Sequence, residues 1–157
     1  MTLRLTEALS RLGTESAFDV LAKARGLEAV VHLPGWSYEP ARYIAGSSVH
    51  VVPSREESWS QSAVLGLGLG VPVVGTAVDG LTRTLGGGRG VLVPPEDPGA
   101  LAGALARVLG GDRPDPAPGR VYARQFTPRA AAAVYAAAYR QLLASRGDSG
   151  RASAARP

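Results

Sequence analysis

Apolar blocks of strand length alternate along this chain with longer stretches whose apolar positions recur at helical spacing. Val71-Pro72-Val73-Val74 and Gly90-Val91-Leu92-Val93 are short apolar runs bounded by turn residues, the pattern of buried strands. Ala29 to Leu33 and Ser48 to Val52 read the same way, and Leu3-Arg4-Leu5-Thr6 is a candidate short strand. Helices fall between them. Thr14 is placed to cap one from Glu15 to about Arg25, with Phe18, Leu21 and Ala22 on one face and Gly26 as its stop. Pro40 suits the first position of a short helix through Ala45. Further helices are predicted over Gln61–Leu69, Pro98–Leu109 (capped by Asp97) and Thr127-Pro128 to about Ala144, with a helical turn at Leu81–Leu85. This alternation predicts an α/β domain: an open parallel sheet with helices on both faces. Gly110 to Gly119, with its three prolines, is expected to be a linker-like loop. The expected organisation is one domain over 1–144 and a disordered tail over 145–157.

The stretch from Pro53 to Gly75 is the part with legible chemistry. A buried strand ends at Val51-Val52, where Pro53 removes a ladder donor. A polar loop with Glu56 and Glu57 follows, then the small-residue helix from Gln61, then the next strand. Such a loop lies at the carboxyl end of its strand, where open parallel sheets take ligands. A chain entering a helix there presents free backbone N–H groups and the positive end of a helix dipole, which favour an anion such as a diphosphate. A carboxylate beside it, Glu57, would instead accept hydrogen bonds from sugar hydroxyls or act in catalysis. Glu57-Ser58-Trp59-Ser60 therefore suits a phosphorylated sugar, although many such loops bind nothing.

Composition narrows the alternatives. The net charge of +4 comes from arginine, with Lys23 the only lysine. These arginines are scattered and have few aromatics between them, so the chain does not read as a nucleic-acid binder. With no cysteine, disulfides and thiol chemistry are excluded, and zinc is not expected. The charges at Arg4, Glu7 and Arg11 do not fit a signal peptide. The uncharged run from Ser58 to Val78 is broken by glycines and Pro72 and does not read as a transmembrane segment. A cytoplasmic location is expected. His32 and His50 fall in strand segments, where a lone histidine is more often a satisfied structural residue than a catalyst. Gly86-Gly87-Gly88-Arg89-Gly90 lacks the Lys-Ser/Thr of a phosphate loop and is expected to be a mobile turn.

Pro53-Ser54-Arg55-Glu56-Glu57, the triplet Ser58-Trp59-Ser60, the helix and Gly70-Val71-Pro72-Val73-Val74 together resemble the donor-sugar half of GT-B glycosyltransferases of the large retaining family four. Their usual form is Pro-Ser-x-x-Glu-Gly-Phe-Gly, four residues, a second glutamate in Glu-Ala, then Gly-x-Pro-Val-Val. The likeness continues through Asp79-Gly80 for the family's glycine pair, Gly90 to Pro95, and Asp97-Pro98-Gly99-Ala100-Leu101. The resemblance implies a Rossmann-like GT-B C-terminal domain that binds a nucleotide-diphosphate sugar and transfers a hexose with retention, without a metal or cofactor. It also implies roles. Glu57 is the catalytic residue, contacting the transferred sugar near its reacting carbon, and Ser58, Trp59, Ser60 and Gln61 stand where the family presents amides to phosphates and sugar. Gly35 and Trp36 end a strand that in the family runs near the base; Trp36 either stacks on the base or packs at the domain surface.

Two departures matter. Leu65 stands where the family's second glutamate holds the ribose, and losing a charge-assisted hydrogen bond costs roughly 1.5–3 kcal/mol, about tenfold to a hundredfold in donor affinity. The family's opening βαβ unit, with its phosphate-neutralising lysine, is not legible before the Leu3 strand, which leads to the expectation of an incomplete domain partnered by an acceptor-binding domain or chain. The alternative reading is a non-catalytic nucleotide-sugar-binding or partner module, or an inactive fragment of a longer glycosyltransferase.

Overall fold

The computed structural model describes residues 25–27, 29–32, 34 and 36–153, with backbone alone for 146–153. The chain divides into two compact units, Met1–Pro40 and Ala41–Pro157. In the first, Leu27 closes a turn by accepting the amides of Val30 (3.0 Å) and Val31 (2.9 Å). The strand expected over Ala29–Leu33 is therefore replaced, among the described residues, by this turn and a single β-bridge at His32. The local cause is that turn, which folds the Val30 and Val31 amides back onto Leu27 rather than toward a ladder. The expected strand at Leu3–Thr6 and most of the helix from Glu15 lie outside the described residues. Short helix α1, Pro40–Ala45, begins at its proline as expected.

The second unit carries the sheet. Strands β1 (His50–Val52), β2 (Val73–Thr76) and β3 (Val91–Val93) run parallel in the order β1-β2-β3. Their register pairs Val51 with Val74, and Gly75 with Leu92. Between and after them come α2 (Gln61–Leu69), α3 (Asp79–Leu85) and α4 (Pro98–Leu109). Because side chains alternate across β2, Val73 and Val74 serve different cores. Val73 joins Val52, Ala63, Leu67, Leu81 and Leu85 under α2 and α3. Val74 joins Val93, Ala104 and Val108 under α4. The sheet thus has helices on both faces, the α/β architecture expected, and β2 is buried along its whole length.

Helix α2 carries Gly66 and Gly68, each weakening it by roughly 1 kcal/mol against alanine. Packing offsets this. A Cβ at Gly66 would stand 2.9 Å from Val73 Cγ2 and 3.1 Å from His50 Cδ2, so the glycine lets the helix rest directly on the sheet. That approach buries Ala63, Val64 and Leu67, and each large apolar side chain so buried contributes about 1.5–3 kcal/mol. On its other side α2 meets α5 (Pro116–Ala123), where Gly119 lies against Leu67 and Gly68 against Ala123.

Helix α5 corrects the expectation of a loop over 110–119. Pro116 occupies the first turn, where its missing N–H costs nothing, and the Asp115 carboxylate caps the helix by accepting the Ala117 amide at 2.9 Å. A 3-10 turn, Arg124–Phe126, leads into α6, Pro128–Ser153. The backbone of α6 stays helical through Ser153, past Ala144 and into the segment expected to be disordered. Its stripe of Tyr135, Tyr139 and Leu142 is exposed. The turn over 86–89 is held by Arg89, whose Nε donates to the Thr84 carbonyl at 2.8 Å and Nη2 to that of Arg83 at 2.6 Å.

Candidate functional site

The parallel sheet sends all three strands toward one edge, so the loops after Val52, Thr76 and Val93 gather there. The first is the stretch from Pro53 to Ser60. Three bonds tie it down. The Thr76 hydroxyl donates to the Ser54 carbonyl, linking loop to β2. The Gly80 amide donates to the Glu57 carbonyl at 2.8 Å. Ser60, only 3% exposed, caps α2 by accepting the Ala63 amide at 3.3 Å. A Cβ at Gly80 would fall 2.5 Å from the Glu57 carbonyl oxygen and 2.6 Å from the Ser58 carbonyl carbon. Only glycine allows α3 to press its first turn against the loop.

The expected site residues Glu57, Ser58, Trp59, Ser60 and Gln61 are thus brought together at the mouth of α2. Glu57 is half-buried, Ser58 and Gln61 are exposed, and Trp59 is half-buried against Phe126, with ring centres 5.1 Å apart. Among the described residues, no acceptor takes the backbone N–H groups of Ser58, Trp59, Ser60, Gln61 or Ser62. Leu65, about one turn along α2, is half-buried and apolar. Of the two expected base-side residues, Gly35 lies outside the described residues, and Trp36 belongs to the first unit, exposed and edge-on to Tyr38 at 5.8 Å.

The neighbouring loops contribute less expected features. Arg55 Nε lies 3.4 Å from Glu96 Oε1 across the edge, both side chains being exposed. Glu96 holds φ +56°, a left-handed conformation that favours glycine. Beneath α2, the His50 ring packs against Gly66 and its Nε2 is buried with no hydrogen-bond partner. The histidine expected to be a satisfied structural residue is therefore structural but incompletely satisfied. Burial holds its pKa below the ordinary 6.5, while the Ser62 backbone works in the opposite direction. Among the described residues, no group of three or more His, Asp or Glu side chains could hold a metal ion, and no helix is long and apolar enough to cross a membrane. A cavity of about 270 Å3 lies by the amino end of β3, lined by Gly90, Val91, Arg107 and Arg113 among others. No residue of the Pro53–Ser60 loop lines it.

Two supporting residues are not legible as such in the sequence. Gly80 resembles one of the family's glycine pair, but nothing in the sequence announces its contact with Glu57. The signal for Phe126 is only an aromatic residue just before Thr127-Pro128, where the last helix starts.

This chain belongs to the family described as glycosyl transferases group 1, which matches residues 9–110. A D-inositol 3-phosphate glycosyltransferase of Nocardioides sp. is 38% identical over 109 residues, 68% of this chain and 23% of that protein. This chain therefore spans roughly a quarter of that relative's length. Among solved structures, sucrose-phosphate synthase from Thermosynechococcus elongatus is similar at a TM-score of 0.72 and 33% identity, covering 82% of this chain and 34% of that one. Pneumococcal O-GlcNAc transferase GtfA, solved with UDP and GlcNAc, gives a TM-score of 0.69 at 16% identity, covering 91% of this chain and 30% of its own. The open parallel α/β sheet matches these GT-B glycosyltransferase structures, the fold that the sequence motifs pointed to.

Proposed function

We propose that the Glu57–Gln61 loop binds the diphosphate and sugar of a nucleotide-diphosphate sugar, as the donor-binding part of a retaining hexosyltransferase. The observation that carries this is the set of unclaimed amides from Ser58 to Ser62 at the mouth of α2, beside the half-buried Glu57. In the proposed complex these N–H groups take the diphosphate oxygens, where the α2 dipole adds a favourable field. The same donors stabilise the charge that grows on the leaving diphosphate as the glycosidic bond breaks. Glu57 accepts hydrogen bonds from the sugar and steadies its positive reacting carbon. UDP in the pneumococcal structure supports a uridine donor as the first to try. The acceptor is assigned to a further domain or chain, and the protein to the cytoplasm.

Leu65 favours a second reading, a module that binds the nucleotide-sugar without turning it over. It supplies no acceptor for ribose hydroxyls at a position half-buried on α2. Thermal-shift titration with UDP-, GDP- and ADP-sugars tests binding, since a ligand at 100 times its Kd adds about 2.7 kcal/mol. A shift with one nucleotide series supports the loop as a donor site. No shift with any of them overturns both readings.

A further inference from the structure

Beyond the loop, aromatic contacts run in a continuous line. The Trp59 ring meets Phe126 at 5.1 Å between centres, tilted by 54°. Phe126 in turn meets Tyr122 at 5.0 Å, tilted by 60°. The Arg89 guanidinium lies over the Tyr122 face, 4.4 Å from its centre. These separations fall within the attractive range of aromatic and cation–π pairs. Arg89 is itself fixed on the carbonyls of Arg83 and Thr84, at the carboxyl end of α3. The amino end of the same helix holds Glu57 through Gly80. Helix α3 therefore reaches the loop twice: directly at Glu57, and through Arg89, Tyr122 and Phe126 at Trp59.

Phe126 is 40% exposed, so filling the core is not its main service. Its ring instead gives Trp59 a fixed wall. Trp59 is the middle residue of the triplet whose amides remain unclaimed, and a ring held in place restrains the Cα that its two flanking peptide planes share. We propose that Phe126 is a positioning residue that, by holding the Trp59 ring, aims the Ser58–Ser60 amides at the ligand. The inference rests on the reading of this loop as a diphosphate site. It assigns to the 3-10 turn before α6 a part in setting donor affinity.

The protein has two tryptophans, so the full chain carrying Trp36→Phe reports on Trp59 alone. In that background acrylamide quenching without ligand reads the ring's shielding; calorimetric titration with UDP, done with Trp36 kept, reads the loop's affinity. Phe126→Ala is expected to increase quenching and to weaken UDP binding about three- to tenfold. Phe126→Tyr restores both, and Phe126→Leu, which keeps apolar bulk without a ring, falls between them. The Leu variant also serves if the Ala variant does not fold. Unchanged quenching in the Ala and Leu variants overturns the contact. Altered quenching with unchanged UDP affinity overturns the positioning role. A parent protein that binds no UDP overturns the site reading itself, while the quenching series still decides whether Phe126 holds Trp59.

Discussion

The Gly80 amide donates to the Glu57 carbonyl at 2.8 Å, which fastens the first turn of α3 to the loop that precedes α2. Helix α3 is short, but Leu81 and Leu85 are fully buried beneath it. A rigid, core-anchored element therefore fixes the backbone at the one carboxylate in the candidate site. Fixed geometry of this kind is what a site needs if its donors are to meet a ligand without reorganising.

Gly80→Ala should break that arrangement. Its methyl would stand 2.5 Å from the Glu57 carbonyl oxygen, a backbone atom with little room to yield. Overpacking at such a position costs about 1–3 kcal/mol. Urea denaturation should register the loss, and UDP binding should weaken further than stability alone explains. A variant as stable as wild type would mean that α3 does not press on the loop.

The cap on α2 gives a second expectation. Ser60→Ala removes the acceptor for the Ala63 amide, which costs about 0.5–2 kcal/mol, whereas glycine at a cap position costs only a few tenths. The denaturation midpoint should therefore fall more for Ser60→Ala than for Ser60→Gly. A Ser60→Ala midpoint equal to that of wild type would show that the hydroxyl is not acting as a cap.

Glu96 marks a place where the sequence is not at its stability optimum. Its φ of +56° strains a residue with a Cβ, and glycine relieves that strain while losing chain entropy. The net gain for Glu96→Gly should be about 0.5–1 kcal/mol. The exposed pair with Arg55 contributes little against it. A lower melting temperature for this variant would contradict the account.

His50 should make stability depend on pH. Its folded pKa is lowered by burial, so the unfolded chain takes up the proton more readily. This contribution is complete above the unfolded value of 6.5 and is lost as pH falls below it toward the folded pKa. Urea midpoints at pH 7.5 and 5.5 should differ more in wild type than in His50→Phe. Equal pH dependence in both would remove His50 from the explanation.

The sequence made the sheet legible because β2 and β3 are unbroken apolar runs, and buried parallel strands have that pattern. It misplaced some ends. The expected strand at Val71 begins instead at Val73, after Pro72, whose missing N–H keeps it out of the ladder. Helix α5 was hidden because Pro116 and Pro118 read as loop residues, although Asp115-Pro116 is also how a capped helix can start. The Glu57–Gln61 stretch is legible as a candidate site because it is contiguous in sequence. What supports it is not: Gly80 and Phe126 reach the loop only through folding, and neither shows a period or spacing that announces the contact.

The central claim separates two parts of one ligand: amides for the diphosphate, Glu57 for the sugar. Isothermal titration of wild type and Glu57→Ala with UDP and with a UDP-hexose tests that division directly. The account predicts that wild type prefers the UDP-hexose, and that Glu57→Ala binds UDP as before but loses the added affinity for the sugar. An equal loss for both ligands, or no loss for either, would contradict it.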